Sequence, residues 1–441
     1  MARATLPLPL ELVFEVLRCC RREDIRSFAR TSKRSYNASF RFLHARIDLI
    51  RALESGTLER HEKDDIYNIV RAVDLYITPS SMHFWSNTEF SHNAIETQLV
   101  KFKNLEELHI ISEEERYRID GPTARVLRFV FGYPLARHIS TLFLEVHTVK
   151  GNWKSFRRVL CDLEAELEPL TQPTTPKCRL KTVKALIASS HPKALLAYFP
   201  PLLSPYMATV ETIELRTLWN LDHIGQHGTW MFDHSHEYIS GFRSTTMKRV
   251  VLEDKYGLAD RIYGKIAKVW PNLEELEVNT GVDQKLSDYD ALEALKSLKY
   301  LSIPYPCYSW DLTPRDTMTQ ESAYVAEALG ARFLALQDVD VQYIYGTGST
   351  SRIALFNRPP PLPDGDGSAK CQPFQLRGHR TVDTTHLDIL DMRALVMYKG
   401  LAEGVRERVE KYVDVEEFLA LDVYVPKVLG LLPEPAPPDL K

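Results

Sequence analysis

A short apolar pattern recurs along most of the chain and limits what the chain can fold into. In each copy, apolar residues occupy the first, fourth and sixth positions, as in LEELEV at residues 273–278. Copies begin at Val70, Leu105, Ile139, Val210, Met247, Leu273, Leu298 and Leu336, a degenerate copy begins at Leu180, and the segment from Phe418 is either a further copy or a helix. The alternation at the end of each copy is typical of a short strand. The chain is therefore predicted to contain a series of similar strands, spaced by roughly 25 to 45 residues.

Helical patterns lie in several of the intervals between the copies. They cover Thr123–Phe131, Trp153–Leu167, Lys193–Phe199, Asp260–Trp270 and Gln320–Leu329. Several end at a proline, as at Trp270-Pro271, because the residue before a proline is restricted away from helical geometry. One strand and one helix per unit resembles the leucine-rich repeat over about residues 65–345, and the stretch WPNLEELEV is similar to the repeats of fungal F-box proteins. The resemblance implies an irregular solenoid, since the Asn or Cys expected after each strand is mostly missing; an ordinary α/β domain is the alternative.

The N-terminal stretch LPLELVFEVLRCC has helical periodicity. Leu12, Val16 and Cys20 recur at helical spacing, and two prolines precede them, as is tolerated only in the first turn of a helix. Glu11 and Glu15 interrupt the apolar run that a secretory signal would need, and no small-residue cleavage site follows before RREDIR. Second and third helices are predicted from Asp24 to Ala29 and after a cap at Thr31 or Ser32. Three such short helices are either the cap of a larger domain or a docking module.

Residues 6–45 closely resemble an F-box. The shared positions are Leu8-Pro9-x-Glu11-Leu12, Glu15-Val16-Leu17, Asp24-Ile25-x-x-Phe28-Ala29 and Thr31-Ser32-Lys33-Arg34, whereas Ser35 and Tyr36 stand where many F-boxes carry a tryptophan. The resemblance implies that the segment binds the Skp-type adaptor of SCF (Skp–cullin–F-box) ubiquitin ligases. It also implies that Leu8, Pro9, Leu12, Val16, Leu17 and Ile25 contact the adaptor or shape that surface. Recognition would be of the helix-in-groove kind, with apolar anchors.

Two long segments interrupt the repeated pattern. Residues 217–246 are rich in histidine and aromatic residues, and His223 and His227 would share a face if the segment were helical. Gly225 and Gly228 argue against a helix, so a partner-binding or repeat-packing loop is predicted rather than a metal site. Residues 346–380 begin with Gly and Ser but lack the Gly-Lys-Ser/Thr of a phosphate-binding loop, and their Pro-rich and DGDGS stretches predict a flexible loop.

Composition excludes several classes of function. The formal net charge is −4 and basic residues are interspersed with acidic ones, so the chain has no stripe suited to nucleic acid. No window approaches the ~20 uncharged apolar residues of a membrane span. The six cysteines are scattered without a CxxC pair, which favours a reducing compartment, the cytoplasm or the nucleus. No catalytic constellation, resident metal or cofactor is predicted.

The sequence thus predicts an α/β protein in which an F-box is followed by an irregular leucine-rich-repeat solenoid of short parallel strands alternating with helices. The predicted regions are an F-box at 1–48, the solenoid at 49–345, the flexible loop at 346–380, a C-terminal repeat or cap at 381–430 and a disordered tail at 431–441. The predicted function is that of a non-catalytic substrate-recognition subunit of an SCF-type ubiquitin ligase. It would be monomeric apart from the complex, with the adaptor, a cullin bound through it and a protein target as partners. Alternatives are a repeat scaffold without ligase turnover, or an enzyme or metal protein that uses residues 217–246.

Overall fold

The chain divides into two compact units. The first comprises Met1–His147 and Lys154–Ala185, and the second comprises Thr148–Trp153 and Leu186–Lys441. The computed structural model describes residues 10–62, 65–85, 88–114, 116–132, 138–148, 152–167, 179–189, 195–219, 237–254, 262–280, 286–304, 315–345, 350–360, 362–363, 369–370 and 372–383. The fold is of the mixed α/β kind, and within each unit the neighbouring strands of a sheet follow their order along the chain.

The first unit begins with helices and continues as strands alternating with helices. Its helices are α1 (Leu10–Cys19), α2 (Arg22–Ala29), α3 (Lys33–Leu43), α4 (Leu49–Glu54), α5 (Thr57–Arg60), α6 (Ile66–Ile69), α7 (Met82–Trp85), α8 (Thr88–Lys101), α9 (Pro122–Gly132) and α10 (Trp153–Leu167). Its strands are β1 (Arg46–Asp48), β2 (Ala72–Ile77), β3 (Glu107–Ser112) and β4 (Thr141–His147), and the boundary with the second unit falls within β5 (Thr182–Ser189). Strands β1 to β4 pair in parallel, and each pairs with the next.

The second unit also starts from parallel strands. These are β6 (Thr212–Trp219), β7 (Arg249–Asp254), β8 (Glu275–Thr280), β9 (Tyr300–Pro304) and β10 (Asp338–Tyr345). Helix α11 (Phe199–Leu203) and a 3₁₀ helix at Ser204–Tyr206 precede β6. Between the strands lie helices α12 (Ile262–Val269) and α13 (Arg315–Arg332) and short 3₁₀ helices at Glu237–Phe242 and Leu286–Ala294. The nine copies of the apolar pattern from Val70 to Leu336 each lead into one of the strands β2 to β10. The prediction of short strands is therefore confirmed at these positions, and the copy from Phe418 lies outside the described residues.

Apolar and polar residues alternate along the strands, so the side chains on one face of each strand lie in the core. In β3, for example, Leu108 and Ile110 are buried at 1% exposure, and the intervening residue His109 points to the other face. Helices cover the buried rows with residues at helical spacing, as in α10, where Phe156, Leu160 and Leu163 are buried. Apolar burial of this kind is the main stabilising term of the fold, at about 25 cal/mol per Å².

Successive repeats are joined by the same backbone contact. In β2 to β5 and β7 to β10, the backbone amides of the first strand residue and of the residue before it both donate to one carbonyl oxygen. That carbonyl lies just before the neighbouring strand of the preceding repeat. Glu106 and Glu107 donate to the carbonyl of Arg71 at 2.7 and 2.9 Å, and in the second unit Glu274 and Glu275 donate to that of Lys248 at 2.8 Å. In each case one carbonyl oxygen accepts hydrogen bonds from two backbone amides, and this contact aligns neighbouring strands in register.

The structure differs from the prediction in the segment 346–380. Strand β11 (Thr350–Asn357) pairs antiparallel with β10 and with β14 (Gln375–Asp383), and a small antiparallel pair, β12 (Leu362–Pro363) and β13 (Ala369–Lys370), lies between them. Ile353, Ala354 and Phe356 are buried, so the described residues of this stretch do not form a flexible loop. Only residues 346–349 separate β10 from β11, so this pairing is a hairpin, and a short Gly-containing stretch between two strands is a signal of one in the sequence. Residues 384–441, which include the predicted cap and tail, lie outside the described residues.

Candidate protein-binding surfaces

Helices α1, α2 and α3 pack around a small apolar core. Its buried members are Val13, Leu17, Ile25 and Ala38, and Phe14, Cys20, Phe28, Phe42 and Leu43 pack against them partly buried. Helix α3 begins at the predicted cap, where the backbone amide of Ser35 donates to the hydroxyl of Ser32 at 3.0 Å. The cap satisfies one of the free amides of the first turn and holds the turn between α2 and α3.

Helix α1 carries two apolar rows that lie about 100° apart around the helix axis. Val13 and Leu17 are 6% and 4% exposed, whereas Leu12 and Val16 are 51% and 55% exposed. Leu12 and Val16 are four residues apart, so their side chains adjoin on the outer face of the helix. Leu12 and Val16 are candidate anchors for a partner protein, because the burial of an exposed apolar side chain in a pocket lowers the free energy of the complex.

The predicted adaptor-contact residues therefore divide into two groups. Leu12 and Val16 lie on the outer face of α1, whereas Leu17 and Ile25 lie in the helical core and can only shape the surface. Leu8 and Pro9 lie outside the described residues. The assignment of all six to an adaptor interface stays a prediction.

A second candidate surface is a row of polar side chains on the outward face of β1 to β4. The guanidinium of Arg46 donates to both carboxylate oxygens of Asp74, with Nε–Oδ2 at 2.9 Å and Nη2–Oδ1 at 2.5 Å. On the next strand, Nδ1 of His109 lies 3.3 Å from Oδ1 of Asp74, and its ring is stacked on Phe143 with centroids 4.0 Å apart. Nδ1 also lies 3.2 Å from Nη2 of Arg46. With Nδ1 unprotonated the ring accepts from Arg46, and with a proton on Nδ1 it donates to Asp74, so the protonation of Nδ1 decides which contact forms.

The row continues to Glu145 on β4, which lies between two histidines. Oε1 of Glu145 is 2.9 Å from Nε2 of His147, and Oε2 is 3.4 Å from Nε2 of His109, an ionic contact without good hydrogen-bond alignment. The contacts with His109 and His147 lower the pKa of Glu145 to about 2. Burial favours a raised pKa for Asp74, but its bonds to His109 and Arg46 outweigh burial and the pKa is lowered. Burial alone lowers the pKa of His109, yet the two carboxylates outweigh it and the pKa is raised.

Sequence reasoning missed the ion pairs between repeats and this polar row. Several charged residues just before the strands pair across neighbouring repeats. The pairs are Arg71–Glu106 at 2.9 Å, Glu211–Lys248 at 3.2 Å and Glu274–Lys299 at 2.6 Å. The sequence signal that could have indicated these ion pairs is the presence of opposite charges at equivalent positions of successive copies. Such exposed pairs set register more than they add stability.

The structure offers no site for metal-dependent chemistry in the residues it describes. No group of three or more His, Cys, Asp and Glu side chains within the described ranges has an arrangement suited to a metal ion. The histidines of the 217–246 segment, which are the candidate metal ligands in the sequence, lie outside those ranges. Among the described helices, none combines the length and the apolar character of a membrane span.

Comparison with known proteins adds no relative. No protein-family model matches the chain, and no curated protein is significantly similar to it.

Proposed function

We propose that the protein is the substrate-recognition subunit of an SCF-type ubiquitin ligase. Its N-terminal helices would dock on a Skp-type adaptor, the adaptor would bind a cullin, and the repeat region would hold a target protein. The chain itself would perform no bond chemistry. It would raise the effective concentration of target lysines near a ubiquitin-conjugating enzyme. The ubiquitin-ligase complex would act in the cytoplasm or the nucleus.

The observation that carries the proposal is the outward apolar pair of α1. Leu12 and Val16 fall on adaptor-contact positions of the F-box pattern, and both are more than half exposed. The inward row, Val13 and Leu17, anchors the helix on its own core, which leaves the outer row available to a partner. A docking helix requires one buried row and one exposed row, because its apolar anchors must be held in place by the fold and still be exposed to the partner.

The repeat region supports the second half of the proposal. Nine strands follow nine copies of one pattern, as an irregular leucine-rich-repeat solenoid would require. The polar row from Arg46 to His147 presents ionisable side chains on one strand face, and such a face favours recognition of a protein surface by charge. We infer that the target binds this outward strand face.

Adaptor binding tests the proposal directly. Leu12→Ala/Val16→Ala removes the apolar anchors without weakening the helix, because alanine is the best helix former. We expect the full chain to bind purified Skp-type adaptor and the double variant to bind it at least about tenfold more weakly, from the loss of about 1.5 kcal/mol or more of apolar burial. Isothermal titration calorimetry measures the difference.

The matched control is Val100→Ala/Leu334→Ala, which truncates the same two residue types at sites 66% and 75% exposed. It should bind like the parent chain. Absence of adaptor binding by the parent chain, or an equal loss in both double variants, contradicts the proposal. Adaptor binding without cullin in a pull-down would instead favour a scaffold without ligase turnover.

A further inference from the structure

An open cleft of about 550 Å³ lies between α2 and α3. Three cations surround it: Arg26 of α2, Arg30 just after that helix and Lys33 in the first turn of α3. Its lining also includes Ala29, Tyr36 and Leu43. The cleft therefore combines an apolar floor with a positively charged rim.

The shape of the cleft is set by the turn between the two helices. The hydroxyl of Thr31 donates to the carbonyl of Phe28 at 2.7 Å, and the Ser32 hydroxyl caps α3. Ala29 is buried at 8% exposure, and its small side chain leaves room between the helices. Because local bonds hold the turn, a ligand would meet a preformed cleft and would not have to order it.

Among the described residues, no ion pair involves the rim cations Arg26, Arg30 and Lys33. Elsewhere in the same unit, Arg18 pairs with Glu15 at 2.7 Å and Arg46 pairs with Asp74. Three unpaired cations around an apolar floor fit a ligand that carries carboxylates next to an apolar side chain.

We propose that this cleft binds an acidic linear segment of a protein partner. Carboxylates of the segment would pair with Arg26, Arg30 and Lys33, and an aliphatic side chain would contact the floor. A peptide fits better than a nucleic acid, because the apolar floor with Ala29 and Leu43 suits an aliphatic side chain beside the carboxylates. The inference does not depend on the ubiquitin-ligase proposal, since it concerns the chemistry of the cleft and not the identity of the adaptor.

A fluorescein-labelled peptide of repeating Glu-Glu-Leu triplets is the probe, titrated with the full chain and followed by fluorescence anisotropy. We expect Arg26→Gln/Arg30→Gln/Lys33→Gln to bind it at least about tenfold more weakly than the parent chain. The charge-conserving Arg26→Lys/Arg30→Lys should retain binding within about threefold. The matched control is Lys103→Gln/Arg116→Gln/Arg158→Gln, which removes the same charge from exposed sites of the same unit and should bind like the parent chain.

Three results would overturn the inference. One is no binding of the acidic peptide by the parent chain. Another is an equal loss in the cleft variant and the matched control, which would reveal a bulk charge effect. The third is tighter binding of a labelled single-stranded poly-dT oligonucleotide that is lost in the cleft variant, which would assign the cleft to nucleic acid. Circular dichroism of each variant separates a loss of binding from a loss of folding.

Discussion

At the scale of single residues, His109 is sensitive to its charged surroundings. It lies between the carboxylates of Asp74 and Glu145, and its ring is stacked on Phe143. A proton on His109 is favoured by both carboxylates, first by the contact with Asp74 and then by the contact with Glu145. The contact with Glu145 contributes both to the raised pKa of His109 and to the lowered pKa of Glu145.

This arrangement predicts a pH dependence of stability. The pKa of His109 is raised above its ordinary value of 6.5, so its contribution is fully present below that pH and is lost as the pH rises through the folded-state pKa. The pKa of Glu145 is lowered from 4.5 to about 2, so its contribution is present above pH 4.5 and is lost as the pH falls towards 2. The two contributions are largest together between these ordinary values.

The variant His109→Gln isolates the histidine. We expect it to lower the free energy of unfolding by about 1 to 2 kcal/mol near about pH 5.5, and by clearly less near about pH 8.5, where the parent has lost the same interaction. Urea unfolding at both pH values provides the measurement. His138→Gln changes an exposed histidine of the same unit and should show no such difference. A loss that is equal at both pH values would argue against protonation of His109 as the cause.

At the scale of elements, one contact in the second unit depends on a residue without a side chain. Gly241 lies in the 3₁₀ helix Glu237–Phe242, and a Cβ atom placed there would be 2.6 Å from Cγ of Pro200 in α11. That distance is far below a normal van der Waals contact, so the two short elements pack closely only because position 241 is glycine. A nearby helical glycine, Gly264 in α12, has its nearest neighbour at 3.8 Å, in ordinary contact range.

The two glycines predict alanine effects of opposite sign. Gly241→Ala should destabilise the protein by about 1 to 3 kcal/mol through overpacking against Pro200. Gly264→Ala should stabilise it by about 0.5 to 1 kcal/mol, because alanine loses less conformational entropy in a helix. Denaturant midpoints of the two variants give the comparison. If Gly241→Ala is as stable as the parent chain, the close packing of these elements is not as described.

At the scale of the whole molecule, the chain consists of units that each contain their own run of neighbouring strands. In a repeat array most contacts join adjacent copies, so a local defect weakens its neighbours more than distant copies. Leu108 in β3 and Leu276 in β8 occupy the same position of the repeated pattern and are 1% and 0% exposed. They are therefore matched sites for comparing the two units.

Hydrogen exchange should report the units separately. We expect Leu108→Ala to accelerate exchange of the β2–β4 amides more than that of β7–β9, and Leu276→Ala to do the reverse. Each substitution should cost about 2 to 5 kcal/mol locally, as for other buried leucines. Mass spectrometry of the exchanged peptides resolves the strands. Equal acceleration throughout the chain in both variants would indicate a single cooperative unit.

The sequence by itself determined the type and place of most elements. The copies from Val70 to Leu336 led to strands, and Ser32 marked the start of α3, because alternation, helical spacing and caps are local properties. Tertiary structure alone decided which elements meet and which faces they bury. It placed Leu17 inside and Leu12 outside, although both lie on the broad apolar stripe of α1, and it joined Asp74 to His109 across adjacent strands. It also paired β11 with β14. These outcomes depend on contacts between residues distant along the chain, and the energy of such contacts is not encoded in any local period.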